Sequence, residues 1–285
     1  MTIACDLENF SKQFALHKQH KENDAAYNFI DLFALQKQYN LENGKYGKVC
    51  VYKHEPTQKE FLVKYLTKNS LKPIEPLVHN LMKDDKHFIN LYHYYSDPKS
   101  AVLVMDFIKK GDLFDYIQQQ PRLKDKEVKL IIRQLGEALN ALHKHDIIHN
   151  DVKLENVLYN NNLKRVYICD YGLCSRVGTK SRLENGTLDY FSPEKIKELD
   201  HQLHFDWWAI GVLTFELYTK QNHPFKRNKP EELTLEKLER RQLNPIKFPN
   251  YISEEAKLFI NSLLTYNLRH RLIDYDKIKN CIFLK

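Results

Sequence analysis

The hydrophobic pattern of this chain changes period once, after Gly111, and that change constrains its architecture more than any other feature. Before it, Phe33–Leu41, Lys48–Lys53, Phe61–Leu66, Tyr92–Tyr95 and Ala101–Phe107 are short runs rich in aromatic and β-branched residues, separated by turn signals, which predicts strands. Ser96-Asp97-Pro98-Lys99-Ser100 predicts the turn between the last two. After it, Val128, Ile131, Ile132, Leu135, Ala138, Leu139 and Leu142 recur at helical spacing. Trp207 to Tyr218 is apolar almost all round, as a helix buried inside a larger body must be. Ala256, Phe259, Ile260, Leu263 and Leu264 repeat the amphipathic pattern, with Ser253 expected as the N-cap. Strands and then helices in separate blocks predict an α+β, two-lobed chain. The expected division is a strand-rich lobe over 33–107 and a helix-rich lobe over 108–285, preceded by an extension over 1–32. In that extension Leu7, Phe10 and Phe14 form a stripe at helical spacing, so a helix is expected there, packed on the smaller lobe of its own chain or of a second copy, with a disordered leader as the alternative.

Composition excludes several classes. Hydrophobic residues at 42% and charged residues at 28% rule out a disordered chain. At 285 residues the chain can bury a core without disulfides. Its apolar stretches, such as Trp207 to Phe215, are about half the ~18 residues that a membrane span needs, so no membrane association is expected. The first residues include Asp6 and Glu8 and lack the basic start and apolar run of a secretory signal. Five cysteines without a CxxC pair support neither a zinc site nor a disulfide framework, and predict an intracellular protein. The net charge of +7 would suit a partner rich in phosphate, but no run of five like charges and no nucleic-acid recognition motif accompany it.

The chemistry-bearing residues come in a fixed order. Gly44-Lys45-Tyr46-Gly47 lies between two predicted strands, where glycines would let backbone amides approach phosphate oxygens. Lys64 stands inside the alternating strand Phe61–Leu66. His149-Asn150-Asp151-Val152-Lys153-Leu154-Glu155-Asn156 follows the long predicted helix, and Asp170-Tyr171-Gly172 ends a later strand. Gly186-Thr187, Ser192-Pro193-Glu194 and Asp206-Trp207 complete the series.

This ordered set resembles the protein kinase superfamily over about Phe33 to Lys285, and within it looks most like the baculovirus protein kinases. The resemblance implies a bilobal fold, a small β-rich lobe and a larger helical one, and a serine/threonine protein kinase that uses ATP with two Mg²⁺ ions, for which Mn²⁺ can substitute. Residue by residue it implies Lys64 on the α- and β-phosphates, Asp151 as the acceptor of the substrate proton, and Lys153 steadying the transferred phosphate. Asn156 and Asp170 would hold the metal. Gly44 and Gly47 would line the phosphates, and Val49, Leu62, Met105, Asp106, Ile108 and Leu158 the adenine, with Asp112 on the ribose. Lys153 and Thr187 fit the serine/threonine branch. Arg271 would pair with Glu194, and Asp206 would brace the loop that carries Asp151.

Four departures from the family pattern stand out. Glu42 replaces the first glycine of the phosphate loop, Leu62 replaces a small residue above adenine, and Asn150 replaces the arginine before the catalytic aspartate. The glutamate expected to pair with Lys64 must be Glu75, the single acidic residue between Lys64 and Lys83, although Pro73 and Pro76 bracket it. Missing the arginine, and with Leu183 four residues before Thr187, the chain is expected to need no phosphate on its activation segment. Asp112, Glu155, Asp189 and Glu216 fall where kinases that favour basic substrates carry acidic residues, which predicts Arg- and Lys-rich protein substrates. The viral resemblance implies action in the cytoplasm or nucleus of a host cell. A pseudokinase scaffold and a basic nucleic-acid-binding module are the competing readings.

Overall fold

The computed structural model describes residues 34–44, 47–67, 69–109, 111–220, 222–227 and 232–285. The helix and the second-copy contact expected for 1–32 lie outside them. The chain divides into two compact units. One ends at Pro76 and resumes over Ile89–Phe107; the other combines Leu77–Phe88 with Ile108–Lys285.

In the smaller unit, β1 (Leu35–Gly44), β2 (Gly47–His54), β3 (Glu60–Thr67), β4 (Leu91–Ser96) and β5 (Ser100–Asp106) form one antiparallel sheet in the order β1-β2-β3-β5-β4. Alternation sorts its side chains onto two faces. Cys50, Tyr52, Phe61, Val63, Val102 and Val104 pack with Leu35 into a core on one face. The opposite face follows from the register: Val49 opposes Lys64, which opposes Leu103, and Val51 opposes Leu62, which opposes Met105. The β4–β5 turn is held by Asp97, whose Oδ1 accepts from the amides of Lys99 and Ser100. Those two bonds keep the Asp97 carboxyl below its ordinary range.

Helix α1 (Ile74–Leu81) begins where its prolines demand. Pro73 precedes it and Pro76 falls in the first turn, where no intrahelical donor is needed, so Glu75 is the acidic residue of that turn.

The larger unit is mostly helical. Its helices are α2 (Leu113–Gln119), α3 (Asp125–His143), α4 (Pro193–Ile196), α5 (His204–Thr219), α6 (Leu235–Gln242), α7 (Glu254–Leu263) and α8 (Tyr275–Lys279). β6 (Ile147–Ile148) pairs with β9 (Ser175–Arg176), and β7 (Val157–Asn160) pairs with β8 (Arg165–Ile168). The apolar stripe of α3 is buried from Val128 to Leu142, and α5 is buried from Phe205 to Thr219. Ser253 does occupy the N-cap position of α7, but its hydroxyl makes no capping bond.

Residues 77–88 belong with the helical unit, not with the strands that flank them in sequence. His87 is the tie: its ring bonds the Val166 carbonyl and the Glu137 carboxylate, and its own carbonyl accepts from the Ile168 amide. Among the described residues Cys50, Cys169, Cys174 and Cys281 are free thiols, and no helix is long and apolar enough to cross a membrane.

Candidate active site

In the smaller unit, Lys64 projects from the face of β3 that also carries Leu62. Its Nζ stands 2.7 Å from Glu75 Oε1, with Glu75 almost fully buried. The proline-bracketed helix therefore delivers its glutamate to the lysine. Val49 and Leu62 are half-buried and Met105 is buried, all on that same face. Asp106 ends β5, and its carboxylate accepts from Lys59, Asn90 and Tyr92, so its side chain braces the sheet edge. Gly44 and Gly47 pair across β1 and β2.

The larger unit holds the loop that runs from β6 to a 3₁₀ turn over Leu154–Asn156. Asp206, fully buried at the start of α5, anchors that loop. It accepts from the His143 ring and from the backbone amides of His149 and Asn150, at 2.8, 2.8 and 2.9 Å. Burial alone would raise its carboxyl; these donors and the nearby histidines outweigh burial and hold it below the usual range.

Asp151 sits at the loop's apex, 5% exposed. Its Oδ1 accepts from the Thr187 hydroxyl at 2.7 Å, and its Oδ2 accepts from the Asn156 amide at 2.8 Å and from Lys153 Nζ at 2.9 Å. Lys153 also donates to Thr187 Oγ1 at 3.0 Å. The Asn156 side-chain amide donates to both the main-chain carbonyl and the carboxylate of Asp151, at 2.8 Å each. The Asn156 carbonyl accepts from the Cys169 amide, which brings the residue before Asp170 against it. Asp170 takes a left-handed backbone at φ 61°. A carboxylate and an amide oxygen on adjoining backbone are hard ligands that fit Mg²⁺, an ion that retains waters and bonds substrate phosphates. Among the described residues, no group of three or more His, Cys, Asp or Glu gathers around a common point.

Tyr171 is buried behind Asp170. Its ring packs edge-on against His79 at 4.6 Å and His149 at 6.2 Å, and its hydroxyl donates to the Ile168 carbonyl at 2.8 Å. Half-buried Ile108 and Leu158 belong to this unit, and Asp112 forms an isolated bridge with Leu158. Asp112 also caps α2 by accepting from the Asp115 amide. Arg271 meets Glu194 in two parallel bonds of 2.7 and 2.9 Å, and burial that would raise this carboxyl is overcome by the guanidinium.

The acidic positions expected to favour basic substrates separate into two groups. Asp112 is engaged as a helix cap, and Asp189 pairs with Lys226. Glu155 is exposed; Glu216 is buried and accepts from the Tyr190 hydroxyl. Burial first, with Glu155 and Asp189 adding repulsion, pushes the Glu216 carboxyl up to about 8 despite the Tyr190 bond.

Sequence reasoning missed Lys195, which donates to Asn150 Oδ1, and the contact of Tyr190 with Glu216. No local pattern separates Lys195 from an ordinary surface lysine, because its burial is created by residues distant in sequence.

A strand lysine paired with a helix glutamate, and a buried aspartate flanked by lysine, threonine and asparagine, are what phosphoryl transfer by positioning and charge neutralisation requires. The protein kinase domain family matches residues 35–281, and the chain belongs to that family. It is a serine/threonine protein kinase, as the names of its relatives state. It is 44% identical over 258 residues to serine/threonine-protein kinase 1 of Heliothis zea nuclear polyhedrosis virus, covering 90% of this chain and 96% of that protein. With the kinase of the same name from Lymantria dispar multicapsid nuclear polyhedrosis virus it shares 47% identity over 251 residues, 86% of this chain and 89% of the relative. The solved structure of the Cydia pomonella granulovirus kinase PK-1 superposes with a TM-score of 0.84 at 34% identity, over 96% of this chain and 99% of that one. The expected fold class, activity and baculovirus likeness are thus borne out.

Proposed function

We propose that this kinase phosphorylates serine and threonine in Arg- and Lys-rich proteins, with Asp151 taking the proton. The attacking hydroxyl oxygen forms a bond to the γ-phosphorus of ATP, the bond to the β,γ-bridging oxygen breaks, and ADP departs. The hydroxyl proton passes to the Asp151 carboxylate. Lys153 and the Thr187 hydroxyl hold that carboxylate in one orientation and keep a cation beside the transferred group. Lys64, oriented by Glu75, is assigned to the α- and β-phosphates. Mg²⁺ would be held by Asp170 and Asn156, and when bound it neutralises charge on the phosphates; we propose two ions, with Mn²⁺ able to replace them. Adenine is assigned to Val49, Leu62, Met105, Leu158 and the main chain of 106–108, phosphate to the Gly44 and Gly47 amides, and ribose to Asp112.

The observation that carries the mechanism is the shared hydrogen bonding of Asp151, Thr187 and Lys153. The basic-substrate reading rests on exposed Glu155 and on Glu216, which would exchange its Tyr190 bond for a substrate guanidinium; Asp112 and Asp189 are engaged as a helix cap and an ion pair. Its test is transfer from labelled ATP with Mg²⁺ to protamine, histone and an acidic carrier protein, wild type beside Asp151→Asn. Protamine and histone should be labelled in preference, and the variant should lose about 10²–10⁴-fold. Equal labelling of the acidic carrier would overturn the substrate class. A fully active variant would overturn the base. A leader over 1–32 that packs on the smaller lobe of its own chain or of a second copy, a host-cell site in cytoplasm or nucleus, and no specific nucleic-acid partner complete the reading. Light scattering on a chain lacking 1–20 tests the first of these.

A further inference from the structure

Lys195 is a lysine in the wrong place for a surface residue. It belongs to the short helix α4 at the end of the activation segment, yet it is 2% exposed. An ammonium is withdrawn from water only where polar partners repay the loss. Its partners are specific. Nζ donates to Asn150 Oδ1 at 3.1 Å and lies 5.3 Å from the centre of the Phe191 ring.

Asn150 is itself held from several directions. Its backbone is left-handed, at φ 67°, a conformation that asparagine tolerates better than most residues. Its amide donates to Asp206 Oδ1 at 2.9 Å, and its side-chain amide donates to the Leu173 carbonyl at 3.1 Å. Its carbonyl lies so close to Gly186 that a Cβ there would meet it at 3.1 Å, and Gly186 has φ +123°. Asn150 thus joins three segments: the base of the loop at Asp206, the stretch after Asp170, and α4 through Lys195. Asp151 is the next residue. Between them lies a cavity of about 20 Å³, room for one water, bordered by Asn150, Asp151, Thr187, Phe191, Lys195 and Asp206.

We propose that Lys195 is a positioning residue for phosphoryl transfer: an internal cation that fixes Asn150, and through it the backbone presenting Asp151. The charge that many kinases import as a phosphate opposite an arginine at position 150 is here built into the fold, with its sign and location changed. The proposal rests on Asp151 as the base, and its test is separable from that assignment.

The charged groups facing Lys195 are Asp151, Asp206 and Glu198, and His201 also feels it. Burial pushes the ammonium down to about 8 while those carboxylates pull it back, and burial pushes His201 down to about 4. At pH 7 Lys195 is therefore charged and His201 neutral, and the Lys195 charge is lost as pH rises past about 8.

Steady-state kinetics of the full chain with Lys195→Met, Lys195→Arg, Asn150→Ala and the Lys195→Met/Asn150→Ala double variant read this out. Lys195→Met should lower kcat about 10- to 100-fold, the scale of a misplaced catalytic group, with KM for ATP and peptide unchanged. Asn150→Ala should do the same, and the double variant should be no worse than the poorer single one. Wild-type kcat should fall above about pH 8, Lys195→Met should lack that limb, and Lys195→Arg should move it upward. Wild-type kcat in Lys195→Met, additive losses, or a loss confined to KM would each overturn the proposal. If Lys195→Met does not fold, full activity in Asn150→Ala overturns it alone. Asp151→Asn, run beside them, tests only the base.

Discussion

Lys64 and Asp170 are both charged groups assigned to ATP and its metal, yet their replacement should not cost the same in stability. Asp170→Asn keeps shape and removes charge at a loop position, so turnover should vanish while the melting temperature barely moves. Lys64→Met should also abolish turnover, but it takes the ammonium away from Glu75, which is 3% exposed. Stripping a buried carboxylate of such a partner costs about 3–5 kcal/mol. Adding Glu75→Gln should restore the melting temperature without restoring activity. Substantial turnover in either single variant would remove these residues from the catalytic assignment. Glu216 permits a second test. Its carboxyl is raised to about 8, so at neutral pH it is largely protonated and gains its charge as pH rises through that value. A substrate guanidinium needs the carboxylate. Between pH 6.5 and 8.5, KM for an Arg-containing peptide should fall several-fold, roughly in step with ionisation. The same peptide with Ala should show no trend, nor should Glu216→Gln with either. A flat profile for the Arg peptide in the wild type would exclude Glu216 from substrate recognition.

At the scale of elements, α5 packs tightly against the end of α7. A Cβ on Gly211 would meet Leu264 at 2.8 Å and Leu263 at 3.0 Å, so the glycine sets how near α5 can come. Gly211→Ala should cost about 1–3 kcal/mol by overpacking, read as a drop of a few degrees in melting temperature with KM unchanged. An unchanged melting temperature would mean that the helices can part without cost. These two helices were legible in the sequence because α5 is apolar on every side and α7 repeats Ala256, Phe259, Ile260 and Leu263 at helical spacing. The strands were legible for the parallel reason: Phe61 and Val63 alternate with Leu62 and Lys64 between core and opposite face. What escaped was short or borrowed. β6 and β9 have two residues each and exist because Ile147 finds Arg176 and Ile148 finds Ser175 across the chain. The site divides likewise. Lys64, Asp151, Asn156 and Asp170 stand in recognisable local phrases, whereas Lys195 acquires its meaning from Asn150, forty-five positions away. Glu75 was reachable by elimination, but its pairing required knowing that Pro73 and Pro76 start the helix instead of breaking it.

For the whole molecule, the activation state follows from what holds the segment between Asp170 and Glu194. Thr187 is tied to Asp151 and Lys153, Lys195 to Asn150, and Glu194 to Arg271, all by groups already in the chain. Enzyme treated with a broad phosphatase should therefore keep most of its turnover, measured before and after treatment with phosphate content checked by mass. Abolished turnover would show that a phosphate is needed after all. The same segment begins at Tyr171, whose hydroxyl is anchored to the Ile168 carbonyl and whose ring packs edge-on against two histidines. A ligand can either accept this ring in place or require it to leave its seat. A phenylalanine there would be held by packing alone; the tyrosine must also break a buried hydrogen bond before it can leave, at a cost of about 0.5–1.5 kcal/mol. For medicinal chemistry, this kinase is a poorer target for compounds of the second kind, by up to about tenfold in affinity.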